Sequence, residues 1–108
     1  MSNNEKLDNA ELKEKLKSEV EEADWDMLKT HHDNGAVFII SEKIPLLDAA
    51  IAVATDKVSF VKLWVDNGDM ARPNEKQVEY FSESPFKKIC DFIIIQPYVL
   101  IQLKETHS

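Results

Sequence analysis

The sequence predicts an α+β fold, with four or five helices packed around a small, mainly antiparallel two- or three-stranded sheet. Three observations lead there. Helix start signals recur along residues 8–77, each followed by apolar residues at helical spacing. Ala36-Val37-Phe38-Ile39-Ile40 is a short apolar run dense in β-branched residues, as expected of a strand buried on both faces. At the C-terminal end, Phe92-Ile93-Ile94-Ile95 and Val99-Leu100-Ile101 are two β-type runs joined by Gln96-Pro97-Tyr98. Because proline cannot donate a ladder hydrogen bond, one of these strands is expected near a sheet edge.

The first helix starts at Asp8 as N-cap, with Glu11 three residues on and Leu7 and Leu12 at the staple positions. Its narrow apolar stripe, Leu12, Leu16, Val20 and Ala23, predicts a helix running to residue 23, with an acidic, solvated outer face. Asp24 is a second N-cap, opening a short helix that turns Trp25 and Leu28 inward and stops at Asn34-Gly35, where glycine accepts the left-handed conformation.

After the strand at 36–40, Pro45 suits the first turn of a central helix over 46–54, whose four alanines permit close backbone approach. Thr55-Asp56 is expected to cap the next helix, 57–67, which has Val58, Val61 and Val65 on one ridge, Phe60 and Trp64 on a neighbouring one, and Gly68 as its stop. Asn74 and Gln77 have cap-like spacing for a last helix with Val78 and Phe81 inward, ending near Ser84-Pro85.

The 108 residues, 44% hydrophobic with 2 glycines and 4 prolines, match one globular domain over 1–108 with frayed ends at 1–6 and 105–108. A net charge of −7 repels phosphate backbones and anionic lipid, so neither nucleic acid nor a membrane is an expected partner. The opening residues carry no apolar segment, so no signal peptide is expected and the reading is cytoplasmic. One cysteine, Cys90, allows no internal disulfide.

The polar residues give little support for catalysis. His31-His32-Asp33 lies at a helix end, where neighbours point about 100° apart and share a metal ion poorly, so no metal is assigned and the histidines are read as helix-terminating. Cys90, between Ile89 and Phe92 in an apolar stretch, reads as a buried inert thiol. No nucleophile elbow, phosphate-binding glycine loop or zinc spacing is present, so no catalytic residue or cofactor is assigned. Gln96 and Gln102 stand among apolar residues, and a structural hydrogen bond to loop backbone is favoured over ligand contact. Trp25 and Trp64 read as core anchors.

In order and spacing, several features resemble the pattern of a small bacterial family, domain of unknown function 2288. They are Trp25 with Leu28, His32 through Gly35-Ala36, the alanine-rich stretch 48–56, Val61-Lys62-Leu63-Trp64 with Gly68, Pro73 with Gln77, and Gln96-Pro97-Tyr98-Val99-Leu100-Ile101-Gln102. The resemblance implies no activity. Pro45 stands where the family pattern implies an acidic residue, which leaves Asp48 as the candidate carboxylate.

Two functional readings follow. The favoured one is a non-enzymatic interaction module that forms a homodimer, or takes a protein partner, through the sheet edge or an apolar helix face. The alternative is a small-ligand-binding or enzymatic domain. Its pocket would lie between the central helix and the sheet, lined by Asp48, Trp64, Arg72, Gln77 and Gln96, with Gln102 as a further candidate contact and Arg72 attracting an anionic group.

Overall fold

Residues 9–83 and 90–103 are described by the computed structural model. In chain order they form α1 (Asn9–Lys17), β1 (Glu21–Ala23), α2 (Trp25–Asp33), β2 (Val37–Ile40), α3 (Leu46–Ala54), α4 (Val58–Asn67), β3 (Met70–Ala71), α5 (Glu75–Ser82), β4 (Cys90–Ile95) and β5 (Tyr98–Leu103). The five strands make one mixed sheet in the order β1-β4-β5-β2-β3. Three neighbouring pairs are antiparallel, and β2 runs parallel to β5. The α+β class stands, but the two- or three-stranded, mainly antiparallel sheet expected from the sequence is corrected to five mixed strands. The missed strands, β1 and β3, span three and two residues, too short for any alternation to register.

Strand alternation divides the interior in two. Phe38, Ile40, Ile93, Ile95 and Leu100 face α1, α3 and α4, where Leu16, Leu46, Ala49 and Ala50 close the first core. Val37, Ile39, Phe92, Val99 and Ile101 face α2 and α5, meeting Trp25, Leu28 and Phe81 in the second. Ala49 and Ala50 are fully buried, so the alanines of α3 do permit the close approach read from the sequence.

The helix expected to run to residue 23 stops at Lys17. Glu19 N–H donates to Leu16 O and Val20 N–H to Lys17 O, closing a turn from which β1 departs to pair with β4. The apolar stripe explains the stop. Leu12, Leu16 and Val20 pack on the first core whereas Ala23 packs on the second, and one straight helix cannot reach both sides of a sheet.

Several helix ends follow the local chemistry. Asp24 Oδ1 accepts from Met27 N–H, and Gly35, at φ 75°, completes a Schellman pair of hydrogen bonds, Gly35 N–H to His32 O and Ala36 N–H to His31 O. The expected cap at Thr55-Asp56 is a correction. Thr55 ends α3, with its hydroxyl donating to Ile51 O, and Asp56 takes the left-handed position at φ 61°. α4 begins after Lys57, with no side-chain cap. The predicted capping residue Asp8 and the stop at Ser84-Pro85 lie outside the described residues.

The β4–β5 hairpin does reach a sheet edge, as expected: β1 pairs with only Cys90, Asp91 and Phe92 of β4, so Ile93, Ile94 and Ile95 have no strand on that side among the described residues. Pro97 occupies the two-residue turn between β4 and β5, where Ile95 pairs with Tyr98 and no ladder bond is asked of it. β5 lies inside the sheet, between β4 and β2. The edge strands are β1, carrying the exposed Glu21 and Glu22, and the two-residue β3. The short length of both, and the charge of β1, resist pairing with another chain.

Candidate functional site

The concavity between the central helix and the sheet exists, but other residues line it. A groove of about 330 Å³ runs between α3 and α4 on one side and β2 and β5 on the other, floored by Phe38, Met70 and Leu100 and flanked by Val58, Val61, Val65 and Tyr98. Its polar lining is Asp56 and Lys62. Such a wall offers contact area and no set of converging donors and acceptors for bond-making chemistry.

None of the six residues singled out from the sequence lines that groove. Asp48 and Trp64 share a separate open hollow with Lys13, Lys57 and Phe60, on the α1 side of α4. Asp48, though part of that hollow, is exposed to solvent. Arg72 is not part of the groove lining but touches one of its residues, its guanidinium 5.7 Å from the centroid of the Phe38 ring, a cation–π position. Gln77 belongs to a capping box: its Oε1 accepts from Asn74 N–H at 2.9 Å while its own N–H donates to Asn74 Oδ1 at 2.8 Å. It serves α5, across the sheet from the groove. Gln96 is exposed in the turn between β4 and β5.

Gln102 has the structural role favoured for it. Its Nε2 donates to Ser41 O at 3.0 Å and to Ile44 O at 2.6 Å, tying β5 to the loop that leads from β2 into α3. Gln102→Ala is expected to lower stability by about 1–3 kcal/mol, the cost of leaving partly buried carbonyls without their donor. Urea unfolding measures it, and an unchanged midpoint would show that the loop is held by something else.

The remaining polar groups are placed plainly. Cys90 is fully buried, its thiol donating to Ala23 O at 3.7 Å. His31 and His32 stand in the last turn of α2, with the His32 ring 5.2 Å from that of Trp25. No group of three metal-ligating side chains exists among the described residues. Trp25 is a core anchor, while Trp64 is half-buried and stacks on Phe60 with ring centroids 6.0 Å apart.

The feature that sequence reasoning missed is the exposure of α4. No residue of this helix is buried, and Val58, Phe60, Leu63 and Val65 are 63%, 55%, 52% and 48% exposed. Only Val61 and Trp64 reach the first core. A signal was available, since six of ten positions, 58, 60, 61, 63, 64 and 65, are apolar and extend well beyond one stripe, leaving Ser59, Lys62 and Asp66 as the polar face. An apolar surface this wide is more than one core-facing stripe needs.

A family model described as "Protein of unknown function (DUF2288)" matches residues 11–103. No curated protein matches the chain. Its fold is similar to the NMR solution structure of PA1075 from Pseudomonas aeruginosa, with a TM-score of 0.72 and 22% identity over 98% of this chain and 94% of that one. At that identity the likeness concerns the fold alone. No helix among the described residues is long and apolar enough to cross a membrane.

Proposed function

The chain belongs to the DUF2288 family of proteins of unknown function, and from that premise we propose that it is a small, non-enzymatic protein-interaction module that self-associates as a homodimer through α4. The observation that carries this reading is a helix with six apolar side chains of which none is fully buried and four are about half-exposed or more. Leaving such side chains in water forgoes about 1.5–3 kcal/mol for each one that a partner could bury completely. The sheet edge offers less, since only Ile93, Ile94 and Ile95 of β4 lack a strand beyond them among the described residues, while β1 beside them is acidic. The same reading makes the chain one cytoplasmic domain that avoids nucleic acid and membranes, because seven net negative charges oppose both.

Solution mass tests it. Light scattering at high micromolar concentration is expected to report twice the 12.4 kDa of one chain. A particle of 12.4 kDa throughout would overturn self-association.

A second reading, a small-ligand-binding or enzymatic domain, has the groove beside α4 in its favour. Its volume of about 330 Å³ lies at the small end of ligand sites. A thermal-shift screen with small apolar compounds separates the two, since a ligand site predicts stabilisation that saturates with ligand and leaves the protein monomeric.

A further inference from the structure

We propose that the open hollow on the α1 side of α4 binds a planar aromatic monoanion of the aromatic carboxylate class, its ring laid against Trp64 and Phe60 and its charge met by Lys13 and Lys57. This site is distinct from the groove between α4 and the sheet, and it needs no second copy of the chain.

Three helices build the hollow. α1 brings Lys13, α3 brings Asp48, Ile51 and Ala52, and α4 brings Phe60 and Trp64, with Lys57 just before its first residue. Ala52 is 5% exposed and ends in a methyl group, so the floor is low and a space of about 420 Å³ opens beside the two rings. That volume falls within the roughly 300–1,000 Å³ of small-molecule sites. Phe60 and Trp64 stand one turn apart on α4 and stack, with ring centroids 6.0 Å apart and planes 30° from parallel. Both are open to the hollow, Phe60 being 55% exposed and Trp64 half-buried. A third ring extends such a stack in the offset arrangement that aromatic pairs favour.

Charge identifies the other end of the ligand. The chain carries −7, yet the charged groups that line this hollow are Lys13, Lys57 and Asp48, or 2 − 1 = +1. The ion pairs among the described residues are Lys15–Glu19 and Lys62–Asp66, so neither lysine is neutralised by a partner there, and neither is Asp48. One unit of positive charge matches one carboxylate, and the Asp48 carboxylate disfavours a dianion such as a phosphate monoester. The groove has no such excess, because its charged groups are Asp56 and Lys62, and Lys62 is already paired with Asp66. The lysine stems add apolar contact to the edges of a bound ring while their ammonium groups stay in water.

The two tryptophans make the test specific. Each gives one indole N–H resonance, and Trp25 sits in the second core, across the sheet from Trp64, so one resonance reports the site and the other is a control. The full chain is titrated with 2-naphthoate, for which an open site is expected to give a dissociation constant on the order of 1 mM. The Trp64 resonance is expected to shift saturably while that of Trp25 stays in place. The neutral 2-naphthamide is expected to bind about fivefold more weakly, and the exposed pair Lys13→Gln with Lys57→Gln to lose about the same factor for naphthoate, as two solvated ion pairs would. Phe60→Ala is expected to weaken binding about two- to tenfold through the lost stack. Asp48→Asn is expected to tighten it. An absent or unsaturable Trp64 shift, equal affinity for naphthoate and its amide, or an unchanged affinity in the double lysine variant overturns the site. A Trp64 resonance that moves on dilution of the protein and not with naphthoate overturns it too, and assigns this face to a second copy, leaving self-association standing.

Discussion

Deleting residues 96–108 is expected to leave no folded protein. The deletion removes β5, which lies between β4 and β2 and is registered with both. It also removes Leu100 from the first core and Val99 and Ile101 from the second, so neither face of the sheet keeps its centre. Three fully buried side chains of this type contribute roughly 5–9 kcal/mol by area alone, against a total stability of about 5–15 kcal/mol for domains of this size. The strand's backbone partners are lost as well. Deleting only residues 105–108 is the control, because β5 ends at Leu103. Soluble yield and the far-ultraviolet circular dichroism of the two truncations provide the comparison. A folded, soluble chain ending at residue 95 would show that the C-terminal strand is a detachable segment and not the middle of the sheet.

Ile101→Lys is expected to unfold the chain as thoroughly with one substitution. Ile101 is 0% exposed, paired with Phe92 and Ile39 on the face covered by α2 and α5. An ammonium group there would have no partner in an apolar core, a penalty of several kcal/mol added to the lost packing. The milder Ile101→Val separates a packing defect from collapse, with an expected loss of about 0.5–1.5 kcal/mol and an unchanged dependence on denaturant. Recovery of Ile101→Lys as a folded monomer would move this residue from the interior to a surface between subunits. The structure excludes that position for it, since both neighbouring strands and the second core enclose the side chain.

What could be read from the sequence was whatever is decided within a few residues. The Asp24 cap, the Gly35 and Gly68 stops and the Asn74–Gln77 box each depend on a donor and acceptor no more than five positions apart, and each stands in the structure. The β1 strand shows the limit. Glu21-Glu22-Ala23 carries no strand pattern and pairs only because β4, nearly seventy residues later, needs a neighbour. Thr55 was assigned to the wrong helix because a hydroxyl between two helices can serve either, and the chain direction at Asp56 decides which. For the candidate site, burial was the missing quantity. Gln102 was rightly suspected of holding loop backbone, whereas Asp48, Arg72, Gln77 and Gln96 were grouped by chemistry and are scattered by topology. The wide apolar surface of α4 was visible, but helical spacing alone does not distinguish a helix covered by its own chain from one covered by another.

The parallel register of β2 with β5 sets the schedule on which this chain can be made. Val37 waits for Val99, which is 99 − 37 = 62 residues downstream. At about 5–20 residues per second, the ribosome takes roughly 3–12 s to supply that partner, whereas a helix pair such as α3 and α4 forms in well under a second. Through that interval Val37-Phe38-Ile39-Ile40 has only the two residues of β3 to pair with, and an apolar strand with an open side is the kind of segment that associates between nascent chains. The aggregation hazard of this protein therefore falls during its synthesis and ends when the last strand closes the sheet.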